Sequence, residues 1–149
     1  GHSGRAHIEP RALPRAFLMY LLDTDTIIYS LKGNAHVVRN FASHADAPKA
    51  ISVVTFGELI FGARRSQRVH ENLAKVYRIR EMFPIIDVTP AIMEFFGEAK
   101  AALQGQGISV ADLDLMIGAT ALVLDYSVVT NNVRHFSRIP GLRLTNWAE

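Results

Sequence analysis

Apolar and polar positions along this chain fall into short blocks with two different periods. Residues 20–23 read Tyr-Leu-Leu-Asp, an apolar run that climbs into an acid. Thr24-Asp25-Thr26 breaks the run before a second apolar one, Ile27-Ile28-Tyr29. This predicts a buried strand ending at Asp23, a short turn, and a helix from Thr26 to about Leu31. Lys32-Gly33-Asn34 supplies the stop, and residues 35–44 predict a second, modest helix. Residues 50–54 read as a short apolar strand, with a helix from Thr55 through Ala63. Between residues 67 and 83, Val69, Leu73, Val76, Ile79 and Phe83 recur at steps of three and four, the mark of an amphipathic helix, and Pro84 stops it. Residues 85–88 predict a third strand. Thr89 then caps a helix with proline at its first position, whose apolar face is Ile92, Phe95, Phe96, Ala99 and Leu103. After a loop at residues 104–107, residues 109–124 are apolar almost all round and predict a buried helix. Residues 127–130 and 142–144 complete a set of about five strands. Strands alternating with helices imply an α/β fold with a central parallel sheet.

Length and composition narrow the class. The 149 residues suit one domain, and 49% hydrophobic content excludes wholesale disorder. The longest uncharged run in the helical region, residues 115–124, is far short of the ~20 residues needed to cross a membrane. Cysteine is absent, which removes thiolate metal sites and cysteine nucleophiles and fits a reducing, cytoplasmic setting. The basic pI near 9.2 owes part of its excess to residues 1–18. That segment holds Arg5, Arg11 and Arg15 against Glu9 and reads as a leader or expression remnant. Residues 19–149, the expected folded domain, then carry 13 basic and 13 acidic residues, so global charge says little about partners.

Three carboxylates share an unusual setting. Asp23 ends the first strand. Glu58 is the single charge between Lys49 and Arg64, and Asp114 the single charge between Asp112 and Asp125. A buried, unpaired carboxylate costs several kcal/mol, so each needs donors, a cation or a proton. A hard divalent ion, Mg²⁺ or Mn²⁺, would meet the need of all three and could activate water for phosphodiester cleavage. Blander roles stand beside this one. Thr55-Phe56-Gly57-Glu58 fits a capping box, Asp25 fits an N-cap, Asp23 a turn former, and Ser109–Asp112 a helix start. His135 reads as a surface or phosphate-contacting residue rather than a base, and Asp87 as a strand-end residue without a task.

At these residues the chain resembles the PIN-domain ribonucleases, and within them the VapC toxins of bacterial toxin–antitoxin pairs. The resemblance runs through Leu22-Asp23-Thr24-Asp25, then Ser52 to Leu59, Asp114 to Ala119, Val129 to Phe136, Ile139 to Leu142 and Asn146-Trp147. It implies a three-layer α/β/α fold and a metal-dependent endoribonuclease, with Asp23, Glu58 and Asp114 as metal-binding catalytic acids. A fourth polar position falls at Thr130 and Asn132, expected to orient metal or water. Many relatives carry Asp where this chain has Asn132, which weakens a second metal. Asp25 stands where related toxins often have Asn. The resemblance further implies an RNA substrate such as tRNA, a homodimer, and an inhibiting antitoxin seated near the helices after Asp23 and Thr55. There, Phe56, Leu59, Ile60 and Phe61 give one helix more apolar surface than one buried face needs. Arg64, Arg134 and Arg138 are the expected phosphate contacts.

Two rival classes remain at this stage. Asp23-Thr24-Asp25-Thr26 also fits the nucleophile motif of haloacid-dehalogenase-like phosphatases, but that family needs a downstream lysine, and none of the 19 residues after Thr130 is one. A non-catalytic toxin–antitoxin binding module is the other. Three costly lone acids argue against it. Gly105-x-Gly107 follows a helix, so it is no dinucleotide fingerprint.

Overall fold

Alternation within the first strand decides the layering. In β1 (Tyr20–Leu22) every residue is buried, but successive side chains point to opposite faces of the sheet. Tyr20 and Leu22 enter one apolar cluster with Ile27, Val37, Leu59, Val76 and Ile79. Leu21 enters a second, with Leu103, Leu115, Ile117, Ala121 and Phe136. A strand apolar on both faces needs cover on both, and helices supply it.

The structure, a computed structural model, describes residues 18–149. The leader read over residues 1–18 thus lies outside the described residues except for Leu18, which packs at the edge of the first cluster. After β1 come α1 (Thr24–Leu31), α2 (Ala35–Ser43), β2 (Lys49–Ser52), α3 (Val53–Arg65) and α4 (Val69–Met82). Then follow β3 (Ile85–Ile86), α5 (Pro90–Gly105), α6 (Asp112–Leu124), β4 (Ser127–Val129), α7 (Val133–Phe136) and β5 (Leu144–Thr145). The five strands are parallel in the order β3-β2-β1-β4-β5. The expected three-layer α/β/α architecture is therefore observed. No described helix is long and apolar enough to cross a membrane.

The chain leaves β1 toward β2 on one side and returns to β4 on the other. The strand order thus reverses beside β1, at the C-terminal ends of β1 and β4, and such switch points are where open parallel sheets bind ligands.

Several element boundaries differ from the sequence expectation. The β-branched run 51–54 looks like strand throughout, yet α3 begins at Val53. The Ser52 hydroxyl caps it by accepting from the Val54 N–H at 3.0 Å. Thr55 is therefore inside the helix, and the capping box with Glu58 does not form. Asp25 is not an N-cap either. Asp23 occupies that position, and α1 starts two residues earlier than expected. The α6 helix starts at Asp112, not Ser109, and exposes Leu113, Val123 and Leu124, so it is not buried all round. The carbonyl of Ser109 instead accepts from Arg138 at 2.9 Å. The edge strands β3 and β5 are two residues each, shorter than read and, for β5, shifted. Asp87 lies exposed just past β3.

The C-terminal segment is anchored by Trp147, 2% exposed, whose ring stacks on His44 at 4.6 Å and meets Tyr20 and Phe41 at 5.2 Å. Asn40 adds a bond from its side-chain amide to the Trp147 carbonyl at 3.1 Å.

Candidate active site

Asp23 sits at the switch point because its backbone extends β1 by one rung: its N–H donates to the Val129 carbonyl at 2.9 Å. The carboxyl does not cap α1. It turns instead to Thr130, whose buried hydroxyl donates to Oδ2 at 2.8 Å. The same hydroxyl oxygen accepts from the Asn132 N–H at 2.9 Å, which fixes its orientation. Burial pushes the Asp23 pKa up to about 7. The charge of Asp25 and, more weakly, of Asp114 push in the same direction, against the Thr130 hydroxyl and the Thr24 backbone, which pull it down. Negative charge has been gathered here with little to balance it.

Glu58 reaches the site from the second turn of α3. Its Oε1 accepts the Thr24 hydroxyl at 2.6 Å, and Thr24 also contacts the Thr55 hydroxyl at 3.3 Å. Thr24 is next to Asp23, so this bond ties the two acids into one constellation.

Asp114 arrives from the first turn of α6 on the other face of the sheet. Its pKa is raised, chiefly by burial and secondarily by the charge of Asp25, while the facing His135 opposes both. His135 Nε2 lies 3.0 Å from Asp114 Oδ2, off the line a good hydrogen bond requires. His135 is half-buried: its Nε2 faces a site acid, and the residue also lines an open cleft.

Asp25 had been read as a cap, and it does something else. Its carboxylate accepts the Asn131 N–H at 3.2 Å, bridging α1 to the loop after β4. Asn131 in turn accepts from Asn146 at 3.1 Å. Nothing local in the sequence marks these partners, both of which lie more than a hundred residues from Asp25. The doubled acid around Thr24 was the available signal.

Asn132, Arg134 and Arg138 line an open cleft with Asp114 and His135. Arg64, in the last turn of α3, does not reach this cleft. On the other flank, Glu58 lines a groove between α1, α3 and α4, walled by Ile28, Leu31, Leu59 and Val76 and bordered also by Lys32 and Lys75. Phe61 projects outward from α3 at 64% exposure.

The acids suit a hard cation by donor chemistry: oxygen ligands alone, an uncompensated buried carboxyl at Asp23, and no thiolate. Among the described residues no three acidic or histidine side chains close to a complete ligand set. Mg²⁺ commonly keeps several waters and takes only one or two carboxylates directly.

Comparison with known proteins agrees with this geometry. The PIN domain family matches residues 20–142. The tRNA(fMet)-specific endonuclease VapC of Shigella flexneri is 34% identical over 131 residues, covering 88% of this chain and 99% of that protein. Ribonuclease VapC2 of Haemophilus influenzae is 32% identical over 130 residues, covering 87% and 98%. Among solved structures, VapBC2 from Rickettsia felis bound to a DNA fragment from its promoter superposes with a TM-score of 0.81 at 30% identity, covering 87% and 99%. DNA-bound VapBC from Salmonella typhimurium gives 0.81 at 34% identity, covering 88% and 99%. The match leaves the phosphatase alternative without support. By fold, by strand-end acids and by sequence, the chain belongs to the PIN domain family, in its VapC ribonuclease branch.

Proposed function

We propose that this protein is a divalent-metal-dependent endoribonuclease toxin, with structured RNA such as tRNA as substrate and a cognate antitoxin as inhibitor. One observation carries the reading. Asp23 ends β1 at the switch point, where burial and the charges of Asp25 and Asp114 make it hard to ionise, and Glu58 is tied to its neighbour Thr24. A protein with no use for charge there would not keep it, because buried carboxylates are costly.

Asp23, Glu58 and Asp114 would hold the ion, Mg²⁺ or Mn²⁺. When bound, it supplies water activation and charge neutralisation at the scissile phosphate. The chain's own groups do the rest. Thr130 holds Asp23 in one rotamer, and Thr24 does the same for Glu58. Asn132, at the N-cap of α7 with a free side-chain amide, is placed to orient water or phosphate. Arg134 and Arg138 would bind the RNA backbone. Arg64 keeps only a peripheral role, because it lies away from that cleft.

The groove beside Glu58 is the proposed antitoxin seat. Its apolar walls, with Glu58, Lys32 and Lys75 on the lining, suit an amphipathic helix carrying residues of both charges. Relatives solved as VapBC complexes support such a partner. A homodimer draws support from the outward apolar side chains Met93, Leu113, Val123 and Leu124 on α5 and α6. We place the action in the cytoplasm, where the RNA substrates are.

The test is RNA cleavage by purified protein with Mg²⁺, with EDTA, and with Asp23→Asn. Cleavage is expected only in the first. Wild-type rates in EDTA would refute the metal, and wild-type rates in the variant would refute the site.

A further inference from the structure

Two contacts join α6 to α7 and the turn after it. Four residues separate Asp114 from Gly118 on α6, which places both on one face of that helix, and Ile139 lies in the turn after α7, its N–H donating to the Phe136 carbonyl at 3.0 Å. The contact at Gly118 is tight: a Cβ there would stand 2.6 Å from Ile139 Cδ1 and 3.5 Å from Leu142 Cδ2. Ile139 is 2% exposed, and Phe136 is fully buried, so the short helix is held firmly from below. The absent side chain at Gly118 lets α7 approach. The other contact then follows: His135 Nε2 comes within 3.0 Å of Asp114 Oδ2.

At that spot Nε2 is buried and has no hydrogen bond of good geometry to any described group. Asp114 accepts none from the rest of the described protein. Leaving a ring nitrogen in that condition costs free energy. The terminal torsion of an aspartate is soft, and site hydrogen bonds often align only when the site is filled. A modest turn of the Asp114 carboxylate would bring Oδ2 onto the Nε2–H axis and turn Oδ1 outward.

We propose that His135 is a positioning residue for Asp114: its Nε2–H holds Oδ2 so that Oδ1 is presented to the bound divalent ion. The proposal rests on the metal-dependent reading above. It assigns His135 no contact with substrate and no proton transfer. A partner that orients a ligand in this way commonly contributes 10–100-fold in metal affinity.

The test uses full-length protein and Mn²⁺ alone, titrated by electron paramagnetic resonance without RNA. Variants are His135→Leu, His135→Gln and His135→Asn, each checked for thermal unfolding. The amide nitrogen of Gln can stand where Nε2 stands; that of Asn falls near Nδ1 and cannot. His135→Leu should weaken Mn²⁺ binding by about 10-fold or more, His135→Gln should restore most of it, and His135→Asn should not. Wild-type affinity in His135→Leu, or equal affinities for Gln and Asn, would overturn the proposal. If His135→Leu does not fold, the Gln and Asn pair decides. Failure of the wild type itself to bind Mn²⁺ would overturn the metal reading, and this inference with it.

Discussion

Glu58 and Asp114 are each the lone charge of an otherwise apolar helical segment, and in the sequence they look alike. The fold treats them differently. Glu58 receives a neutral hydroxyl from Thr24 and opens onto apolar walls. Asp114 faces an imidazole and opens onto Asn132, Arg134 and Arg138. A neutral donor satisfies a carboxylate but leaves its charge available, so the groove offers apolar area with one anion, and Lys32 and Lys75 share its lining. The other mouth is basic and polar, suited to phosphates. The acids therefore face two entrances of different chemistry, a largely apolar groove of mixed charge and a polar cleft with two arginines.

The largest test of this division is a crossed pair of variants. Asp114→Asn should lower single-turnover RNA cleavage on the order of 10³-fold, the rate equivalent of several kcal/mol, and leave antitoxin binding intact. Ile28→Arg, on the groove wall, should weaken antitoxin binding by roughly 10–100-fold in calorimetry and leave cleavage unchanged. If either variant lowers both readouts alike, the two entrances are not separate.

Next in size is the pH dependence that Asp23 imposes. Its carboxyl ionises near 3.8 in a model peptide and near 7 in the folded protein. Between those values the folded state holds the extra proton. Stability from this group is thus complete at low pH and is lost as pH rises toward 7, by a few kcal/mol in order of magnitude. Thermal unfolding in chelator should show Asp23→Asn flattening that decline, and a variant as steep as the wild type would remove Asp23 as its source. Divalent ions should raise the melting temperature most above pH 7, where the carboxylate is charged.

A smaller effect concerns the basic mouth. In an Asp114→Asn background, Arg134→Ala or Arg138→Ala should weaken RNA binding several-fold regardless of sequence, and reduce the slope of log affinity against log salt by about one. An unchanged slope would take the arginines out of the interface. The smallest is Thr24→Val. It should cost about 1 kcal/mol of unfolding free energy through the lost Glu58 bond, with Thr24→Ser retaining it.

The strand-end acid at Asp23 was legible because an apolar run ending in charge is a strong local pattern, and the alternation of elements sufficed for the layers. Glu58 stood out by its isolation, but the capping role read for it is not observed. Ile51, Val53 and Val54 favour a strand, but the Ser52 cap starts the helix at Val53, and Leu59 and Ala63 bury its inner face. Asp25 was misread because its partner, Asn131, lies 106 positions away. The approach of His135 to Asp114 was not legible, because the two lie 21 positions apart on separate elements and no local pattern encodes their distance.

The sheet is bordered on both sides by strands of only two residues, β3 and β5. A long open edge is a template for another chain, and such pairing leads to fibrils and misassembly. Here each border offers only a few backbone groups, too few to hold a foreign strand in register. Stacking of chains through the sheet is thereby discouraged, and lasting association is left to the helices. For a protein that must wait in complex with its inhibitor, this steers assembly toward reversible helix-mediated contacts and away from aggregates that no inhibitor could release.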